Sequence, residues 1–565
     1  MVSKSNKGTG NFQIIIDILM SLFLGLSSFK LTSNISQIVD LILSDEPYYL
    51  NNGINVIKQG FPTAEWSPFY AIWYWLLSII EPSKDNLNLY YFNQEVLIAL
   101  TTVLLYFALR TINVKRIIAA IISFIYILSG VPVVWPRPTH LVLVFLLLFI
   151  IVQKFIESNR AFLYGISVFL LIVSFVRPEY FVSFLASYLL LFIFEAKNLF
   201  STESSKRKKI YLPLLIYSIL AALLIFALGI PIASGNRSWW AFASHFALRW
   251  SWKNESNLDP WVDYEKIASF FFGDADSLFG AMFANPKVFF GYILENLRGF
   301  FANIFDILGG NLQDNSPSLK SLDPSINKIV RWGEISFLIF ALLQLLRKYR
   351  LTLTQIKSKT FIRLLIITCL IQVCILPSTI LIFPRYHYLI INAVLFLVLV
   401  GFLFSNVLDK KDRDNSIGQV IIVGCLILFL TPTLAKGWCF WDKCLFPPNI
   451  PNKASLETIL FLRSLNIDEP VDLLAFDYEY RTFVGEHYKR ISPTEKMGSF
   501  QEFRAEKDID MVIVRPELNQ DIRFVEDKSW QEFRENPSQY KFTSLDIPKT
   551  KWVLLVKDEL LEVKN

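Results

Sequence analysis

AFLYGISVFLLIVSFVRPEYFVSFLASYLLLFIFE, residues 161–195, is the stretch on which the fold turns. It is apolar on both sides of Arg177-Pro178-Glu179. Read as one kinked helix, it crosses a bilayer once. Read as two helices joined at the polar triplet, it crosses twice, and everything downstream changes side. Length does not decide, because 161–176 and 179–195 are both shorter than the ~20 apolar residues a span requires. Charge does. With the N-terminus inside, the inner connections are Arg110–Arg116, Lys154–Arg160, Lys197–Lys209, Arg347–Arg363 and Asp409–Arg413, which hold nearly all the loop Lys and Arg. Merging the two helices would move Lys206-Arg207-Lys208-Lys209 outside, against the positive-inside rule. Two spans are therefore expected here.

Working outward, the whole chain reads as membrane. Of its 565 residues 53% are hydrophobic and 50 are Phe. Hydropathy gives eleven spans, at 12–30, 92–109, 115–134, 138–156, 161–176, 179–195, 210–230, 330–347, 361–382, 386–405 and 418–436. The segment after Lys4 and Lys7 has no A-x-A site and is expected to be a signal anchor. The net charge of +6 follows from the loop bias and calls for no nucleic acid. No P-loop and no G-x-G-x-x-G between strand and helix is present, which disfavours a cytosolic nucleotide donor and ATP-driven transport.

The expected fold is a polytopic α-helical membrane protein of about eleven transmembrane helices, N-terminus cytoplasmic. A membrane module, 1–436, carries large extracytoplasmic loops at 31–91 and 231–329. A small extracytoplasmic α/β domain follows at 437–565. Its strand-like runs are Val471–Phe476, Met511–Val514 and Trp552–Val556, alternating with helical Glu457–Ser464 and Trp530–Glu535. Cys439 and Cys444 are a disulfide candidate if that side is oxidising. Cys369, Cys374 and Cys425 fall in apolar spans and read as packing residues. Sequons at Asn34, Asn236 and Asn254 lie on the same outer side.

Chemistry concentrates in the outer loops. The first contains Asp45-Glu46-Pro47-Tyr48-Tyr49, two adjacent carboxylates that hydrocarbon would not tolerate. Trp66, Phe69, Tyr70, Trp73, Tyr74 and Leu77 then recur at helical spacing. An interfacial helix is expected, either an anchor or, through Trp66, Tyr70 and Trp73, a lipid-facing wall leading to the acidic pair. In the second loop His245 and Arg249 stand four apart, able to grip a phosphate or to meet headgroups non-specifically. Asp274-Ala275-Asp276 reads as an exposed loop ahead of a metal site. Short outer turns add Arg137, Arg177 with Glu179, and Arg385 with His387. Snorkelling explains any one of these arginines. Three at one level point to a polar cavity for an anionic ligand, since guanidinium donates two parallel hydrogen bonds to phosphate.

The order and sidedness of Asp45-Glu46, Trp66-Ser67-Pro68-Phe69-Tyr70 and Pro384-Arg385-Tyr386 resemble the GT-C class of membrane glycosyltransferases. That class includes the protein O-mannosyltransferases and the lipid A aminoarabinose transferases. The resemblance covers residues 12 to about 436. It implies a polyprenyl-phosphate-linked sugar donor, a lipid, glycan or protein acceptor, and transfer on the extracytoplasmic side. It also implies a catalytic first-loop acid, Asp45, with Glu46 as neighbour and substitute, and Arg385 near the donor phosphate. Depth and chemistry add His387, Arg177 and Glu179 as substrate contacts. No first-loop D-x-D is present, so a divalent cation stays open. The other function classes are a transporter or flippase and a polymerase or ligase of lipid-linked glycans. A transporter places ionisable groups near the midplane and carries repeats. Here no repeat is found in the hydropathy, and charges gather at span ends.

Overall fold

The computed structural model describes residues 7–308, 358–407 and 453–562, apart from gaps of one to five residues, and the short strands at 439–440 and 443–444. Helices of seven or more residues are numbered here. The membrane module contains α1 (Lys7–Thr32), α2 (Asp45–Ile54), α3 (Pro68–Ile80), α4 (Asn86–Thr111), α5 (Arg116–Leu128), α6 (Pro138–Val152), α7 (Asn159–Ser174) and α8 (Tyr180–Ser201). It continues with α9 (Lys208–Leu228), α10 (Arg237–Asn254), α11 (Tyr264–Phe272), α12 (Leu278–Ala284), α13 (Pro286–Leu308), α14 (Lys359–Pro377) and α15 (Tyr386–Val407).

Residues 161–195 form two helices, α7 and α8, packed against each other. Pro178 lacks a backbone N–H and biases Arg177 away from helix, so the chain turns at the polar triplet. Nine of the eleven expected spans coincide with helices among the described residues. Those at 330–347 and 418–436 lie outside them, as does Cys425. Among the described residues, five helices are long and apolar enough to cross a membrane: Asn86–Thr111, Pro138–Phe155, Tyr180–Phe200, Tyr211–Leu228 and Lys359–Ile382. Helices α5, α7 and α15 are apolar but shorter.

Exposed apolar side chains identify the lipid-facing side. On α1, Ile14, Ile15, Ile18, Leu19, Leu22, Phe23 and Leu26 are exposed, while Ser21, Leu24 and Ser28 are buried and the helix packs on α4. Leu220, Leu223 and Phe226 of α9 are likewise exposed. Water would not tolerate so much apolar surface, and lipid does. Asp17 on α1 is satisfied within the bundle, by Arg110 (3.1 Å), Arg116 (2.7 Å) and the Tyr106 hydroxyl (2.6 Å).

Three expectations need correction. Trp66 does not belong to the aromatic helix. It ends a 3₁₀ turn, Ala64–Trp66, and Ser67 adopts the left-handed conformation (φ 58°) before α3 starts at Pro68. Proline suits that first helical position, where no N–H is needed. Tyr70 does not face lipid, because it is fully buried against α2 and points inward with Tyr74. Trp73 is tied inward too, its indole N–H donating to Asn93 Oδ1 at 2.7 Å.

The C-terminal part is an α/β unit. Strands β1 (Cys439–Phe440) and β2 (Lys443–Cys444) form a two-stranded antiparallel ladder in which Cys439 and Cys444 are register partners. A second sheet has the order β4-β3-β5-β7-β6, from β3 (Val471–Leu474), β4 (Tyr488–Ile491), β5 (Met511–Val514), β6 (Phe542–Asp546) and β7 (Val553–Lys557). Strands β4, β3 and β5 are parallel, and β5, β7 and β6 are antiparallel. Helices α16 (Ala454–Ser464), α17 (Phe500–Lys507) and α18 (Lys528–Glu535) complete it.

This unit is bolted to the first loop. The Asp40 carboxylate accepts the backbone N–H groups of Ser455 (3.1 Å) and Leu456 (2.9 Å), capping α16 from a distant part of the chain. Arg463 of the same helix makes a two-pronged pair with Asp85 (2.8 and 3.2 Å). Burial pushes the Asp85 carboxyl up, but the Arg463 hydrogen bonds and the Leu87 N–H outweigh it, so it lies below its ordinary value. A lowered folded pKa stabilises docking above the ordinary value of about 3.9, and the contribution is lost as pH falls through the folded value. Arg463→Ala is expected to cost about 1 kcal/mol at neutral pH, as a half-exposed bidentate pair does. Thermal unfolding followed against pH checks this. The wild-type advantage should disappear on acidification below the carboxylate range.

Candidate functional site

Helix α2 begins with Asp45 and Glu46, whose charges favour a helix N-terminus. It packs so closely on α3 that a side chain at Gly53 would collide with Tyr74. Successive residues on a helix point about 100° apart, and this separates the two acids. Asp45 is exposed and Glu46 is 0% exposed. Glu46 Oε1 accepts the hydroxyls of Tyr70 (2.5 Å) and Tyr74 (2.7 Å), and Oε2 accepts the Arg137 backbone N–H (3.1 Å). Burial pushes the Glu46 carboxyl up, opposed by the Tyr70 hydrogen bond and the Arg137 charge. The expectation of one acidic pair is therefore corrected. The carboxylates sit in different environments, and Glu46 has no surface on which to substitute for Asp45.

Arg137 belongs to this buried network. It is 1% exposed, and its guanidinium donates to Val134 O (2.7 Å) and Gln94 Oε1 (2.6 Å). It therefore stands behind the surface rather than on it, a second correction to the expected basic wall. The polar Asn93 and Gln94 at the start of an apolar span were the sequence sign of this network.

Beside Asp45 the geometry converges. Arg177, in the α7–α8 turn, pairs with Glu179 (2.6 Å) and lies 5.7 Å from the centre of the Tyr388 ring. Tyr49 feels the charges of both Arg177 and Asp45. Burial pushes its hydroxyl up, Arg177 opposes this, and Asp45 adds to it. The Tyr49 ring packs edge-on against Tyr70 at 5.5 Å, and Tyr48 packs on Trp66 at 4.3 Å. The His387 ring lies 4.1 Å from Tyr388 and feels the charges of Arg177 and Arg385.

The second loop supplies the other side. Helix α14 ends in a π-helical turn, Ser378–Ile382, leading to Pro384-Arg385. Helix α13 holds that segment by its carbonyls. Asn296 donates to Ile380 O (3.0 Å), Tyr292 to Ile382 O, and Asn303 to Pro384 O (2.6 Å). Arg385 extends over the Trp261 ring at 5.3 Å, and His245 meets the same indole edge-on at 5.3 Å. Burial, then the Arg385 charge, lowers His245 to about 3, so it is a neutral imidazole. Its Nδ1 bonds the Ala241 carbonyl at 2.6 Å.

Arg249 does not join His245 in a shared grip. It turns to Glu295 (3.1 Å) and to Asn296 Oδ1 (2.7 Å), because one helical turn along α10 the neighbour is α13. Among the described residues no three His, Cys, Asp or Glu side chains are grouped to hold a metal, at Asp274-Ala275-Asp276 or elsewhere. Tyr49, Tyr388 and Trp261 were not singled out in the sequence. Tyr49 lies inside a motif quoted there and Tyr388 directly follows His387, whereas Trp261 carries no signal of its own.

No family model matches this chain, and no curated protein matches it.

Proposed function

We propose that this protein is a membrane glycosyltransferase that moves a sugar from a polyprenyl-phosphate-linked donor to an acceptor on the extracytoplasmic side. One observation carries the reading. From separated stretches of chain, the exposed carboxylate Asp45 and the cation Arg177 both act on the buried Tyr49, and Arg177 and Arg385 both act on His387. Asp45 takes the proton of an acceptor hydroxyl as that oxygen attacks the anomeric carbon. The bond from the anomeric carbon to the donor phosphate oxygen breaks, and polyprenyl phosphate leaves with the electron pair. Arg385 and Arg177 stabilise the charge that develops there. His245, neutral, hydrogen-bonds without adding charge. The exposed apolar faces of α1 and α9 fit a protein working on a lipid-borne donor.

The test supplies the reconstituted protein with a panel of polyprenyl-phosphate sugars and follows release of polyprenyl phosphate. Release is expected with one donor, and Arg385→Ala should lower turnover by about 10²-fold, the scale of losing one charge-stabilising donor. A protein that releases polyprenyl phosphate from no donor, with or without acceptor lipids and glycans, is not this enzyme.

A further inference from the structure

A second site lies in the C-terminal unit, far in sequence from the one above. A cleft of about 490 Å³ opens against the β5–β7–β6 side of the sheet, within the size range of small-ligand sites. Its floor is apolar apart from Ser544, the register partner of Leu555. Val514 and Val553 are register partners across β5 and β7, and Leu555 continues the surface next to them. The α17–α18 layer covers the same face further along, through Phe500, Phe503, Trp530 and Phe533, and leaves this end open.

The charged groups lining the cleft are all cationic: Arg515, Arg534 and Lys551. They differ in what neutralises them. Arg515 is fixed by Asp477 (2.8 Å) and Glu517 (2.8 Å) and stacks over Trp552 at 4.8 Å, so its fork is rigid and its charge matched. Arg534 has only the neighbouring Glu535 at 3.6 Å, and Lys551 meets no carboxylate among the described residues. Two positive charges are thus presented with little compensation. A third kind of group lines the same cleft: Asn519, whose side-chain amide both donates and accepts hydrogen bonds. A ligand hydroxyl pairs with such an amide.

An anion alone uses only the rim. A neutral sugar uses only the floor and the Asn519 amide. A pyranose bearing a carboxylate uses all three: its C–H face on Val514 and Val553, a hydroxyl to Asn519, and its acid group to Arg534 and Lys551. We propose that this cleft binds an acidic saccharide. The proposal stands apart from the transfer reading, since it concerns binding and its test needs no turnover.

The experiment titrates the full chain in zwitterionic nanodiscs with trigalacturonate, maltotriose and inorganic tripolyphosphate, by calorimetry. Trigalacturonate is expected to bind, with affinity falling as salt rises. Maltotriose, which has the rings without the acid, and tripolyphosphate, which has the charge without the rings, should each bind at least about tenfold more weakly, the scale of one lost charge-assisted contact. The double variant R534Q/K551Q changes two side chains at the domain surface. It should lose at least about tenfold in trigalacturonate affinity while melting at the wild-type temperature. Four outcomes overturn the proposal: no trigalacturonate binding at millimolar concentration, equal affinity for maltotriose, equal affinity for tripolyphosphate, or undiminished binding in the double variant.

Discussion

Asp45→Asn is expected to lower sugar transfer by about 10²–10⁴-fold, the range a positioned general base contributes. The substitution keeps the shape of the side chain and removes only its ability to hold a proton. Asp45 is exposed, in the first turn of α2, where its charge interacts with the helix dipole by about 0.3–1 kcal/mol, and asparagine keeps the shape and the acceptor oxygen there. Expression, solubility in detergent and melting temperature should therefore stay close to wild type while turnover collapses. Donor affinity should hold as well, because the phosphate is assigned to Arg177 and Arg385. Asp45→Glu separates a base from a mere electrostatic partner. It keeps the carboxylate and displaces it by one methylene, so it should recover part of the rate. Near-normal transfer by Asp45→Asn would remove Asp45 as the base. A loss of rate accompanied by a matching fall in melting temperature would reassign it to structure.

The sequence made the α-helical membrane architecture legible, and the physical reason is period and charge. Nine expected spans fall on helices because long apolar runs leave little choice of structure. The α7–α8 turn was readable because Pro178 and two flanking charges interrupt an otherwise apolar run. What stayed hidden had weak periodic signals. Strand β4 runs Tyr488-Lys489-Arg490-Ile491 and lies at one edge of the sheet, half polar, with Lys489 exposed. Strand β6 forms the other edge and is mostly exposed. The interior strands β3, β5 and β7 were legible because burial on both faces makes them continuous apolar runs. Helix α13 escaped because its polar residues, among them Glu295, Asn296 and Asn303, break the hydropathy of a span.

The candidate site was legible in its ingredients and not in its sorting. Acids and arginines could be picked from the outer turns by residue type alone. Which of them face a ligand depends on helix phase and on neighbours from other segments. Arg137 and Arg177 look alike in sequence, each beside a proline in a short turn. The first, 1% exposed, is sealed behind Gln94 and the Val134 carbonyl, and the second, buried at 8% exposure, pairs with Glu179 and Tyr388. A hydropathy profile contains no information about that difference. The same holds for His245 and Arg249, which share a helical face but meet different partners.

Glu46→Ala is expected to destabilise the protein by about 3–5 kcal/mol, the cost of removing one partner from a buried charged network. Four donors converge on this carboxyl from separate elements: Tyr70 and Tyr74 from α3, the Asn93 amide of α4 at 3.4 Å, and the Arg137 backbone ahead of α6. Asn93 of α4 donates to both tyrosine hydroxyls, at 2.8 and 3.0 Å, and closes the network. Alanine would leave the two hydroxyls and the amide buried without their acceptor, in a region water does not reach. It would also leave a void where the carboxyl was. Glu46→Gln should cost much less, about 1–2 kcal/mol. Glutamine keeps one oxygen for the tyrosines but turns an NH₂ toward the Arg137 N–H. The predicted order of melting temperature in detergent is wild type, then Gln, then Ala. Aggregation in size-exclusion chromatography should be worst for Ala. This ordering contrasts with Asp45, one residue away, where activity should fall and stability should not. If Glu46→Ala melts with wild type, the carboxyl is not what holds α2, α3 and α6 together, and the rigid seat assigned to Asp45 and Tyr49 goes with it.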